Sequence, residues 1–281
     1  MLSKDEQELS RQLKQWVDDL SVEIPNDLAN TYDEWLNQTI ELLPGNVRSQ
    51  IFHRLDQWLF STQLALQQME NFDTRIQRII QEAKLFDHSI QQLEDLKKLS
   101  INKVNYLADR QGSAHQLYAL FQGTTAGSGS SILLSMDIPA FIIIQLRTVQ
   151  FIAASYGYNP KNPFELMLAL KVFRWATLPK RFQREGWDEL LVELNEGENP
   201  YFYEGREEIT DVKWLNAILV QLAKGSAIWL FRKKKHQNLP FVSAAIGAGV
   251  NYRMTKKVTD YAKRFYQYRW LLEKEMRLED K

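Results

Sequence analysis

The 281-residue sequence contains no cysteine, which excludes a disulfide framework, a thiol nucleophile and thiolate metal sites, and fits a reducing compartment. Helix breakers are scarce. There are 12 glycines and 8 prolines, and none of either between positions 46 and 111, so long helices are favoured. Long apolar runs are missing too. The longest stretch without Asp, Glu, Lys or Arg, Gln111 to Met136, is diluted throughout by Gln, Ser, Thr, Gly and His. A spanning helix needs about 20 predominantly apolar residues, so a standard transmembrane span is rejected, while a shallow or re-entrant insertion stays open. The first residues, MLSKDEQELS, carry acids where a secretion signal needs a basic start and then an apolar core.

What is present is a globular composition, 44% hydrophobic and 25% charged, with a formal net charge of zero. That zero hides an asymmetry. Residues 1–112 hold 12 Lys/Arg against 18 Asp/Glu, and residues 113–281 hold 23 against 17. The expected organisation is an acidic N-terminal helical part, 1–112, and a basic helical core, 113–281, in one continuous domain. Between Lys224 and Arg269 there are 11 basic residues and one acid, Asp260. Such a tract fits an anionic partner, or a solvated face compensated by the acidic part.

Apolar residues recur at helical spacing, as in Ile51, Leu55, Leu59 and then Ile76, Ile79, Ile80. Breaks are expected near Pro25, at Pro44-Gly45, at Asn71–Asp73 and at Ser100–Asn102, giving four or five helices before Gly112. A second block is expected from about Ala114. Asp137-Ile-Pro139 and Asn238-Leu-Pro240 both read as helix starts, because Asp and Asn accept from first-turn N–H groups and proline there loses no helical bond. A helix ending near Tyr156-Gly157 is followed by Asn162-Pro-Phe-Glu165, a restart with Glu165 at capping-box spacing. Further helices are expected at 180–194, from Asp211 to about Lys235, and from Pro240 to about Glu279, with a polar loop at 195–208. No alternating strand pattern appears, so the fold class is all-α: a single multi-helix domain.

Its centre is expected to hold two Gly/Ala/Ser-rich helices, Gly123 to Ser131 and Ser243 to Gly249. Small residues at four-residue intervals let backbones approach closely, either across a core or in a hairpin that enters a bilayer.

Catalytic motifs fail one by one. The four histidines, His53, His88, His115 and His236, lack metal-ligand spacing, so no metal and no cofactor is expected. Gly123 to Ser131 has no lysine after its last glycine and no strand before it, so it is not a phosphate loop; no serine sits in a G-x-S-x-G elbow. Asp137 is the single acid between Asp109 and Glu165 and is a catalytic candidate, with helix capping as the alternative role. A membrane contact is read at Trp229, Arg232, Lys233, Lys234, Lys235 and Phe241, where aromatic rings adjoin a cationic helix end. The macrodipole alone also accounts for cations at a helix end. The stripe Val258, Tyr261, Phe265, Tyr268, Leu272 is read as packing. Arg253, Lys257 and Arg264 are read as a basic exposed side, with no nucleic-acid module to make nucleic acid the partner.

Several short motifs in order carry a resemblance: Gln122-Gly123-Thr124-Thr125-Ala126-Gly127, Asp137-Ile-Pro139, Ile152-Ala-Ala-Ser-Tyr156-Gly157-Tyr158, and Leu239-Pro240 to Gly247-Ala248 with Asn251. On these the chain resembles the EcsC family of bacterial proteins, closely over 114–270 and more loosely from Leu42. One departure is Gln122, where the family often has an acid. The resemblance implies a helical protein, named for a gene encoded beside an ABC transporter, with no established reaction. It points to a non-enzymatic, cytoplasmic protein at the inner face of the plasma membrane, whose partner is an anionic membrane surface or a membrane protein complex such as that transporter. The alternatives are a hydrolase acting on lipid or peptide through Asp137, and a soluble protein-interaction module.

Overall fold

The computed structural model of the chain describes residues 2–20, 44–68, 70–126, 131–196, 209–211, 214 and 240–279. Among these the chain is all-α: α1 Lys4–Leu20, α2 Gly45–Gln68, α3 Glu70–Lys84, a 3₁₀ helix Leu93–Lys98, α4 Ile101–Ala126, α5 Ser131–Ser155, α6 Pro163–Thr177, α7 Lys180–Glu196 and α8 Pro240–Glu279. The expected helix from Asp211 to Lys235 lies outside the described residues, Asp211 and Trp214 excepted.

Local chemistry sets most boundaries. Ser3 and Glu6 form a reciprocal cap on α1, with the Ser3 N–H donating to Glu6 Oε2 at 2.8 Å and the Glu6 N–H to Ser3 Oγ at 3.4 Å. Asn162 Oδ1 accepts from the Phe164 N–H at 2.9 Å, and Pro163 opens α6, as the sequence predicts. After α5 the chain turns at Gly157, whose φ of +85° suits a residue without Cβ.

The break expected at Asn71–Asp73 does not occur, because α3 runs through it. The chain leaves helix after Lys84 instead. There the Asp87 carboxylate accepts from the Ser89 N–H at 2.9 Å, a local bond that competes with helix continuation and leads to the 3₁₀ turn, which was not expected. The charge boundary at Gly112 and the start expected near Ala114 both fall inside α4.

From Phe164 to Thr177 every residue of α6 is buried, which makes it the central helix, apolar on all sides except where Glu165, Lys171 and Arg174 bring charge inward. Trp175 of α6 meets α7 at Gly186, where an added Cβ would stand 2.0 Å from a Trp175 ring carbon. Trp175 is fully buried and cannot swing away without opening the core. Gly186→Ala is therefore expected to lower stability by about 1–3 kcal/mol or more, seen as a shifted urea midpoint. Gly45→Ala, with nothing within 4 Å of its added Cβ, should stay within about 0.5 kcal/mol. Equal midpoints for the two variants would show that the α6–α7 crossing relaxes.

The register of α4, α5 and α8 positions everything that follows. Gln267 Nε2 donates to Asn105 Oδ1 at 2.9 Å, Lys263 donates to Asp109 Oδ1 at 2.6 Å, and Thr259 closes on Gly112, where a Cβ would stand 2.5 Å from its Cγ2. These pairs step in opposite directions, so α4 and α8 are antiparallel. Gln145 Nε2 donates to Thr255 Oγ1 at 2.8 Å, and Tyr156 shares Asn105 with Gln267, so α5 and α8 run parallel. Continued at this register, Gly123 of α4 falls level with Gly249 of α8, and Asp137 of α5 with Gly247. The two small-residue segments thus come level, one as the last turn of α4 and the other as part of α8 rather than a separate helix.

Candidate functional site

The motif positions separate into two ends of the bundle. At the first, α4 ends with Gly123 and Thr124, α5 begins and carries Asp137 and Pro139, and α8 begins at Pro240 and carries Gly247 and Asn251. The capping role expected for Asp137 is not found: α5 starts at Ser131, so residue 137 stands in its second turn and Pro139 in its third. A helix that starts six residues earlier has already satisfied the first-turn donors that Asp137 was expected to cap, and Pro139 leaves the Ser135 carbonyl without a helical N–H partner. Gly127, Trp229, Arg232, Lys233, Lys234 and Lys235 lie outside the described residues; Phe241 is the second residue of α8.

At the other end, Tyr156, Gly157 and Tyr158 meet the 3₁₀ helix, α6 and the C-terminal part of α8. The Tyr156 hydroxyl donates to Asn105 Oδ1 at 2.5 Å. Two cations lie over the Tyr158 ring, Lys97 Nζ at 4.2 Å and the Arg269 guanidinium at 3.9 Å from its centroid. Arg269 is 3% exposed and bonds the 2% exposed Glu165 at 2.5 Å, while its Nε donates to Glu273 at 3.2 Å; Glu273 also accepts from Lys97 at 2.9 Å. Burial works against the Arg269 charge, but Glu165, Tyr158 and Glu273 outweigh it and raise its pKa. Burial also raises Tyr158 and Tyr266 well above the ordinary phenol value. Each group is thereby fixed in its usual charge state, which suits a rigid junction and not proton transfer near neutrality.

A third cluster lies midway along α4 and toward the C-terminal end of α5. Arg75 Nη1 of α3 is 2.8 Å from His115 Nε2 of α4, and both pack on Phe151 of α5, the guanidinium 5.3 Å and the imidazole 5.6 Å from its centroid. Because arginine only donates, Nε2 accepts and the ring is neutral with its proton on Nδ1. Burial first, then the charges of Arg75 and Arg147, push the His115 pKa down to about 3.

Sequence reasoning missed both buried clusters. Their members come from elements far apart in the chain, so no spacing announces them; the one visible signal is charge inside an otherwise apolar helix, as at Glu165, Lys171 and Arg174. The basic exposed side expected on α8 holds at Arg253, which is exposed, and is corrected at Lys257 and Arg264. Lys257 donates to the Leu178 carbonyl, Lys263 pairs with Asp109, Arg264 lies 4.8 Å over the Trp16 ring, and Arg269 is buried. Long basic side chains cover neighbouring apolar surface while their heads find partners, and here those partners are internal. Among the described residues no group of three or more acidic or histidine side chains is placed to hold a metal ion, and no helix is long and apolar enough to cross a membrane.

The chain matches the EcsC protein family over residues 7–271 and belongs to it. It is 27% identical over 192 residues to the uncharacterized protein YdbA of Bacillus subtilis, a match covering 68% of this chain and 66% of that protein. It is 24% identical over 180 residues to protein EcsC of the same organism, covering 64% of this chain and 69% of that one. The chain thus spans just under two thirds of the first relative's length. No solved structure matches it.

Proposed function

We propose that the protein is non-enzymatic and attaches to an anionic membrane surface, or to a membrane protein complex, through the end of the bundle where α4 stops and α5 and α8 begin. The observation that carries this reading is the register of the three helices, which gathers most of the family-motif positions at one end. The sequence adds the chemistry. Ile132-Leu-Leu134 belongs to α5 near that end, Phe241-Val242 opens α8, and Arg232-Lys-Lys-Lys235 stands five residues before Pro240. Apolar and aromatic groups beside lysines suit the headgroup layer, where each cation near an anionic surface contributes about 1 kcal/mol before screening.

The test is liposome co-sedimentation of the full chain beside a variant with Lys233, Lys234 and Lys235 changed to Gln. Wild type should bind anionic vesicles, bind neutral ones poorly, and weaken with salt; the variant should lose on the order of tenfold or more in affinity. Equal binding by both proteins, or none to anionic vesicles at low salt, removes the lipid reading. Co-purification with the ABC transporter that the family resemblance suggests would then support the membrane-complex form.

A further inference from the structure

We propose that Arg75, Arg78 and Arg147, gathered beside His115, form a binding site for a phosphate-type oxyanion. Arg75 is fixed by His115 and by the face of Phe151. Arg78 follows it by three residues on α3, and Arg147 precedes Phe151 by one turn on α5, and the charges of both act on Arg75. Among the described residues no carboxylate stands within ion-pair distance of any of them, and the charges that act on Arg75 are those of Arg147 and Arg78. Arg147 Nε is buried without a hydrogen-bond partner. So are both amide atoms of Gln150, on the same helix between Arg147 and Phe151.

Arg75 and Arg147, both partly buried and without a carboxylate partner, repel one another and oppose folding, and the unpaired buried Arg147 Nε adds to the cost. An oxyanion would neutralise these charges and give Arg147 Nε an acceptor. Phosphate oxygens match the planar fork of arginine, and neutral His115 keeps Arg75 in place without spending its own charge. Arg78 is exposed, which gives the site an opening to solvent. The chemistry is shared by a free phosphate or phosphate ester and by a phospholipid headgroup. The site does not depend on the lysines at 233–235.

The experiment is titration calorimetry of the full chain with inorganic phosphate, with the His115 imidazole followed by NMR across pH. Phosphate should bind and raise the His115 titration point, a change that a purely structural arginine cluster would not give. Arg147→Gln should weaken binding by about 10- to 100-fold, the loss of one or more charge-assisted bonds. Arg78→Gln, at an exposed position, serves if that variant does not fold, and Arg253→Gln on α8 should leave binding unchanged. Phosphatidylglycerol vesicles, compared with phosphatidylcholine alone, separate the sources: a His115 response to these vesicles but not to free phosphate identifies a headgroup, and the converse a soluble phosphate. No response to either ligand, or equal phosphate affinity in wild type and the arginine variant, overturns the proposal.

Discussion

Replacing Arg269 with methionine is expected to destabilise the fold by about 3–5 kcal/mol, because it leaves Glu165 as a buried charge whose guanidinium partner is gone. The penalty is one-sided. The intact pair gains less than its closeness suggests, since both ions were taken from water to make it. Arg269→Met with Glu165→Leu should therefore recover most of the single-variant loss, and a double-mutant cycle in urea would show strong coupling. The rest of the loss belongs to Tyr158, which keeps Lys97 over its ring but loses the guanidinium. A single variant within about 1 kcal/mol of wild type would mean that Glu165 reaches water or another donor once Arg269 is removed.

Glu165 also shows where sequence reasoning reaches its limit. Its position three residues after Asn162 is right for a helix start, and a helix does start there. Its carboxylate nevertheless goes to an arginine 104 residues later, and only the packing of α6 against α8 selects that partner. Helix content, the start at Pro163 and the span of α8 were legible because apolar period, proline placement and breaker scarcity are local signals. The extra turns at the start of α5 were not. Asp137-Ile-Pro139 satisfies every local rule for a start, yet the helix already begins at Ser131. In the basic tract a sequence counts cations, but Asp109, Leu178, Trp16 and Glu165 take Lys263, Lys257, Arg264 and Arg269 as internal partners, while Arg253 and Lys256 stay exposed.

Stability is expected to fall in acid through His115 in particular. Its folded pKa is pushed down to about 3, against about 6.5 in an unfolded chain. Between those values the unfolded chain binds a proton that the folded protein refuses, so protonation favours unfolding. The contribution is fully present above about pH 6.5 and is lost as pH falls toward 3, at about 1.4 kcal/mol per unit and up to about 5 kcal/mol in total. Every charge named as acting on the ring is positive: Arg75 at 2.8 Å, and Arg147. His115→Gln keeps a side-chain oxygen to accept from Arg75 but cannot titrate. Compared with wild type in urea at pH 7, 5.5 and 4.5, it should be the less stable protein at neutral pH, because glutamine does not reproduce the stacking on Phe151, and should lose less on acidification. Arg147→Gln removes one of the repelling charges, so the His115 titration should rise and the acid loss shrink, though by less than in His115→Gln, since burial is the larger cause. Parallel acid losses in wild type and His115→Gln would assign the whole effect to protonation of ion-paired carboxylates such as Glu6, whose pKa is lowered against the cost of burial by its bonds to Lys274 and Ser3.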